Sequence, residues 1–160
     1  MRRRNPGHPR PFFGFAGAYS IKTADHHEVS VAIASASEVP PSLTTDPYQL
    51  RQVFLNLVTN AIQAVPRGGH VSLRLGGDDQ VATFAVEDDG PGIPEENVER
   101  VFEPFFTSKP EGQGTGLGLA VSRGIVERLG GRIEIDNHPG VGCTFRVVIP
   151  RSPIAATQRP

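Results

Sequence analysis

Two asparagines four residues apart, Asn56 and Asn60, stand in the middle of the run "DPYQLRQVFLNLVTNAIQAV". Asparagine is a poor helix former, so a pair aligned one helical turn apart beside an apolar stripe needs a partner. Their amide oxygens suit a hard cation such as Mg²⁺. Further on, "FAVEDDGPGIP" closes an alternating stretch with a carboxylate. Alternation puts Phe84, Val86 and Asp88 on one face, so Asp88 is an inward anion that must find a donor. Gly90 and Gly92 leave room beside it for a planar ligand carrying an amino group. In "VFEPFFTSK", Lys109 lies beyond Phe102, Phe105 and Phe106, where a flexible ammonium can reach a phosphate. Last, "GQGTGLGLA" sets glycines at 112, 114, 116 and 118 directly before an apolar stretch. Such a segment lets backbone amides approach an anion at a helix N-terminus. Each feature also has an ordinary reading: solvated asparagines, an aspartate capping its own turn, aromatic anchors of a loop, a glycine connector. Taken together, they describe a nucleoside triphosphate site. No G-x-x-x-x-G-K-[ST] is present, so the site is not a P-loop.

The elements that position these residues are legible from periodicity. "EVSVAIA" reads as a strand, followed by the proline-marked loop "SEVPPSLTT". A helix is predicted over Asp46–Val65, capped by Thr45 or Asp46 with Pro47 at its first position, and stopped by Pro66 and Gly68. Leu50, Val53, Phe54, Leu57, Val58, Ala61, Ile62 and Val65 form its apolar stripe. "HVSLRL" and "QVATFAVEDDG" flank a glycine-aspartate turn as a hairpin. A short helix is expected over "PEENVERVF", then a loop from Glu103 to Gly116 with few apolar anchors. Leu117–Leu129 reads as a helix ending at Gly130-Gly131, and "RIEID" and "CTFRVVI" form a second hairpin across "NHPGVG". Hairpins plus helices that each need a partner face imply a two-layer α/β sandwich, an α+β fold with a mixed, mostly antiparallel sheet.

The 160 residues suit one domain with a core of its own. Sixteen basic and seventeen acidic side chains leave a net charge of −1, which offers no electrostatic case for nucleic acid or a membrane surface. A lone cysteine, Cys143, excludes an internal disulfide framework, and no apolar run approaches membrane-span length. Residues 1–28 are expected to be a basic, proline-rich, poorly ordered arm rather than a secretion signal, residues 29–150 the domain, and 151–160 a frayed tail.

The ordered motifs "NLVTNAIQAV", "DDGPGIP", "FEPFFTSKP", "GTGLGLA" and "GGRIEIDNHPGVGCTFRVVIP" resemble the catalytic ATP-binding domain of sensor histidine kinases, over residues 29 to 150. The stretch "FEPFFTSKPEGQGTGLGLAVSRGIVE" is similar to the nitrogen-sensor type. The resemblance implies the Bergerat-type fold, ATP and Mg²⁺ as ligands, and a cytoplasmic location. It implies that Asn60 ligates Mg²⁺, that Asp88 binds the adenine amino group, and that residues 102 to 118 form a mobile lid over the phosphates. The nucleotide-contacting set then includes Asn56 and Asn60 on the helix, and Asp88, Gly90, Gly92 and Ile93 after the strand. Phe102, Thr107, Lys109, Gly114, Thr115, Gly116, Leu117, Gly118 and Leu119 complete it from the lid, with Asn56 and Lys109 in catalytic roles.

Relatives of the same fold that hydrolyse ATP, or phosphorylate serine, carry a glutamate base where Asn56 stands. An amide cannot take a proton, whereas a neutral histidine nucleophile already offers a lone pair and needs no base. Asn56 therefore favours phosphoryl transfer to histidine over an ATPase or serine kinase. The acceptor is expected on a dimerisation domain elsewhere, with a response regulator downstream. "HHEVS" holds His26 and His27, but the residues after it alternate as a strand, not as an acceptor helix. The chain thus reads as a truncated or split kinase that does not label itself, or as a nucleotide-binding regulatory module. Cys143 takes a place where relatives often carry threonine, and it also fits the core beside Phe145 and Val147.

Overall fold

A computed structural model describes residues 15–22, 28–35, 43, 45–109 and 114–151. Helix α1 runs Pro47–Ala64. Asp46 is the residue that caps it: its Oδ1 accepts from the backbone N–H groups of Tyr48 at 2.9 Å and Gln49 at 3.3 Å, and the Gln49 side chain donates to Oδ2 at 2.9 Å. These bonds satisfy donors that the first turn cannot pair internally. The Gln49 side chain, followed by the two backbone donors, holds the Asp46 carboxyl below its ordinary value. Val53, Leu57 and Ala61 are the buried edge of the predicted stripe.

The sheet has six strands in the order β1-β2-β3-β4-β6-β5. Strand β1 (Phe15–Lys22) pairs antiparallel with β2 (Glu28–Ser35), and β2 runs parallel to β3 (His70–Gly77). That single parallel pair exists because α1 is the crossover between its two strands. Strand β3 forms a hairpin with β4 (Val81–Asp88), which pairs with β6 (Gly142–Pro150), which in turn pairs with the edge strand β5 (Arg132–His138). Helix α2 (Gly118–Arg128) lies beside α1. It ends where Gly130 and Gly131 donate back to Glu127 and Val126, the paired bonds of a Schellman motif. The core lies between the helices and one sheet face, built from Val29, Val31, Val71, Leu73, Phe84, Val86, Phe145, Val147, Ile125 and Val126 among others. The architecture is the expected α+β two-layer sandwich.

Two expectations are corrected. Phe15–Lys22, assigned to the disordered arm, forms β1. "FAGAYSIK" carries little strand signal of its own, and its backbone is organised by pairing with β2. "PEENVERVF" is not one helix but two 3₁₀ turns, Glu95–Asn97 and Arg100–Phe102. Pro104 biases Glu103 away from helical geometry, and the segment left between two prolines is too short to sustain a helix alone. Residues 1–14, 23–27 (with His26 and His27), 110–113 (with Gly112) and 152–160 lie outside the described residues.

The register explains where the apolar face stops. Ile133, Val147 and Phe84 form one row across β5, β6 and β4, and Ile135, Phe145 and Val86 form the next. The row beyond them is Asn137, Cys143 and Asp88, with Val71 of β3 at its end. The core face of the sheet therefore finishes in a polar rim.

Candidate functional site

Along its last turns α1 meets three other segments in succession. The Asn56 side-chain amide donates to the Gly118 carbonyl at 3.1 Å and to the Ser122 hydroxyl at 3.2 Å. Ser122, fully buried, donates in turn to the Gly118 carbonyl at 2.8 Å. Asn56 thus ties α1 to the first turn of α2, while its own side-chain oxygen has no hydrogen-bond partner among the described residues. Gln63, two turns on, accepts from the Lys109 ammonium at 2.5 Å. At the helix end, Gly90 lies so close that a Cβ there would sit 3.0 Å from the Ala64 carbonyl oxygen and 2.8 Å from Asp88 Oδ1. Between these contacts stands Asn60, half-buried, with no hydrogen-bond partner among the described residues. An idle amide flanked by a lysine, a helix start and a carboxylate loop is a ledge with donor and acceptor capacity to spare.

Asp88 is 7 % exposed, the only charged residue among those described that is buried. Its Oδ1 accepts from the Gly90 N–H at 3.0 Å. Burial pushes its pKa up; the Gly90 and Cys143 backbone N–H groups work against that, and the Asp89 and Glu87 charges add to it. An ionised carboxylate in that place is costly without a further donor. Cys143, its cross-strand neighbour, is buried, and burial followed by the Asp88 and Asp136 charges pushes its thiol up to about 12. It is a neutral, unreactive thiol flooring the rim beside Asp88.

The glycine-rich segment is held at its described end. Thr115 Oγ1 accepts from the Leu117 N–H at 3.3 Å, and α2 begins without a side-chain cap, so its first N–H groups have no partner within the helix. Gly116 has φ +64°, and a Cβ on it would lie 2.4 Å from the Phe105 carbonyl carbon. Its carbonyl accepts from the Phe105 N–H at 2.9 Å, which holds Phe105 itself at φ +67°. A non-glycine residue there costs about 1–3 kcal/mol and persists only where its surroundings fix it. Gly114 lies against Thr107 and Lys109, whose N–H donates to Thr107 Oγ1 at 3.1 Å. Burial pushes the Lys109 pKa down. Phe102 packs edge-on against Phe145 at 6.4 Å, which anchors the segment to the core.

Along the second half of α1 the structure therefore sets Asn56 against Gly118, Lys109 against Gln63 three residues after Asn60, and Gly90 against Ala64 and Asp88, while Gly116 lies against Phe105. Leu119 packs on the core, Ile93 sits at the far end of the loop after Asp88, and Phe105, unlike Phe102, is 74 % exposed. Sequence reasoning passed over Ser122, Gln63 and Asn137. Ser122 lies one turn after Gly118 and Gln63 three residues after Asn60, so helical projection could have found both. Asn137 carries no local signal.

A buried carboxylate, an idle amide ledge and an uncapped helix start thus lie on an α+β sandwich whose sequence carries no P-loop motif. Residues 45–153 match the family described as histidine kinase-, DNA gyrase B- and HSP90-like ATPase, and the chain belongs to that family. Its relatives are sensor histidine kinases. It is 42 % identical to sporulation kinase A of Bacillus subtilis over 106 residues, 66 % of this chain and 17 % of the kinase. It is 40 % identical to sensor histidine kinase ZraS of Escherichia coli K12 over 116 residues, 72 % of this chain and 24 % of that protein. The chain thus spans a quarter or less of these relatives. Among solved structures, the mycobacterial sensor histidine kinase MprB superposes with a TM-score of 0.68 at 32 % identity, covering 79 % of this chain and 84 % of that one. Full-length ShkA in complex with AMPPNP gives 0.69 at 31 % identity, covering 82 % and 27 %. No helix among the described residues is long and apolar enough to cross a membrane.

Proposed function

We propose that the chain binds Mg-ATP at the end of α1 and passes the γ-phosphoryl group to a histidine on a dimerisation domain that lies outside these residues. From there the phosphoryl group would reach a response regulator, in the cytoplasm. The observation that carries the reading is Asp88: a buried carboxylate with one oxygen held by Gly90 and burial to be offset. An exocyclic amino group would supply the missing donor, and the pairing would be charge-assisted.

The other residues fit a nucleotide in the same way. Among those described, no cluster of three His, Cys, Asp or Glu side chains could hold a metal. A divalent cation would have to combine the Asn60 oxygen with oxygens of its ligand, the usual habit of Mg²⁺. Bound there, the ion would neutralise phosphate charge. Lys109 supplies a positive charge beside the ledge, and the N–H groups at the start of α2 that have no partner within the helix supply fixed donors.

Asn56 bears on the choice of reaction. Its amide nitrogen is occupied by Gly118 and Ser122, and an amide at this place cannot act as a base for water or serine. A histidine acceptor needs none. Incubating the chain with labelled ATP, Mg²⁺ and candidate helical-hairpin domains tests this directly. Acid-labile label on a hairpin histidine is expected, with none on the chain alone. Free phosphate without a labelled acceptor would turn the reading to an ATPase, and bound, unreacted ATP to a regulatory module.

A further inference from the structure

The segment that leaves Asp88 is fastened at both ends. At the near end the Gly90 N–H donates to Asp88. At the far end Asn137 of β5 makes a reciprocal pair with the Ile93 backbone: the Ile93 N–H donates to Asn137 Oδ1 at 2.8 Å, and Asn137 Nδ2 donates to the Ile93 carbonyl at 2.7 Å. The pair imitates the two-bond pairing of an antiparallel ladder, with a side chain standing in for a strand. Between these points the Gly140 N–H donates to the Pro91 carbonyl at 2.7 Å. Gly92, at φ +70°, is pressed so near the β5–β6 turn that a Cβ would lie 2.8 Å from the His138 carbonyl oxygen. Asn137 itself belongs to the polar rim, opposite Cys143, which stands opposite Asp88.

We infer that Asn137 is a positioning residue that fixes the Asp88–Ile93 segment across the rim of the sheet, and so presents Asp88 at a set distance from the loop that a purine ring would lie against. The inference rests on the nucleotide reading of the site. The residue type follows from the job. A carboxamide carries a donor and an acceptor on one planar group and can serve both Ile93 atoms at once. An ionised aspartate has no donor and would face the Ile93 carbonyl with a charge. Alanine would leave both Ile93 groups without their partner.

The test is Asn137→Ala in the whole chain, measured well below its melting temperature. Without ligand, amide hydrogen exchange over residues 89–93 is expected to quicken roughly tenfold, with α1 unchanged. Unchanged exchange over 89–93, or equal quickening throughout the domain, would overturn the inference. With ligand, adenosine and Mg-ATP should both weaken by the same factor, on the order of tenfold, because the loop meets the base and not the phosphates. The loss should shrink when Asn137→Ala is made on top of Asp88→Asn, since the two act through one contact. Equal losses in both backgrounds would also overturn it. If the wild-type chain binds neither adenosine nor Mg-ATP, the nucleotide reading fails, and with it the purine part of the inference, while the exchange comparison still decides whether Asn137 holds the segment.

Discussion

Replacing Asp88 by asparagine should move binding and stability in opposite directions. The amide keeps an oxygen for the Gly90 N–H, so the local turn survives. Towards an amino group, however, a hydrogen bond to a charged acceptor worth about 1.5–3 kcal/mol becomes a neutral one worth about 0.5–1.5, and the new NH₂ turns donors against a donor. A net loss of about 2 kcal/mol corresponds to roughly 30-fold weaker nucleotide binding. The free protein should gain instead, because the buried charge is gone. A carboxyl raised in the folded state binds its proton more readily there than in the unfolded chain. Its contribution to stability is complete below its ordinary value of 3.8 and is lost as pH rises through the raised value. The variant has no carboxyl at this place and so lacks that loss. A gain of about 1 kcal/mol, or roughly 3 °C in melting temperature, is expected. Titration calorimetry and thermal melts from pH 3 to 8 measure both effects, and the difference between the two melting curves isolates Asp88 from the exposed carboxylates. Equal affinities would remove Asp88 from the ligand; a less stable variant at neutral pH would show that its charge is already satisfied within the protein.

Asn60→Ala should leave adenosine binding unchanged and weaken ATP only when Mg²⁺ is present, which calorimetry with and without a chelator distinguishes; an equal loss under both conditions would refute the metal role. Asn56→Ala removes two hydrogen bonds between α1 and α2 and should cost about 1–2 kcal/mol, read from the urea midpoint. Gly92→Ala and Gly140→Ala both impose a side chain at positive φ, but the first adds contact with the β5–β6 turn while the second meets open space. The first should cost more, and equal urea midpoints would show that the loop is not docked as described.

How far the sequence reached depended on the range of the interactions. Helix α1 was readable almost to the residue because its cap, its proline, its stripe and its stop signal are all local. The two hairpins and the end of α2 were readable for the same reason. Strand β1 was not, since its backbone is ordered by a partner strand and not by its own composition. The two 3₁₀ turns show the opposite failure: helical spacing was present, but prolines at both ends left too little length. In the candidate site, the burial of Asp88 was legible from alternation and the shared face of the asparagines from helical spacing. The work of Asn137 depends on a residue 44 positions away, and nothing near it in the chain announces that contact.

Among the described residues, strand β5 ends the sheet, with no strand paired on its outer side. Arg132, Glu134 and Asp136 face away from the core on this strand, with Arg132 paired to Glu134 and His138 paired to Asp136. A second copy adding itself antiparallel, with its apolar face aligned, would centre near Ile135. Glu134 of each copy would then lie against Asp136 of the other; a slip of two residues either way, the smallest that keeps the apolar faces aligned, would set two glutamates or two aspartates opposite each other. Like charges directly across a ladder repel, and charged edges are how sheets resist growing into fibrils. That edge thereby carries a charge pattern that works against its pairing with a second copy of itself.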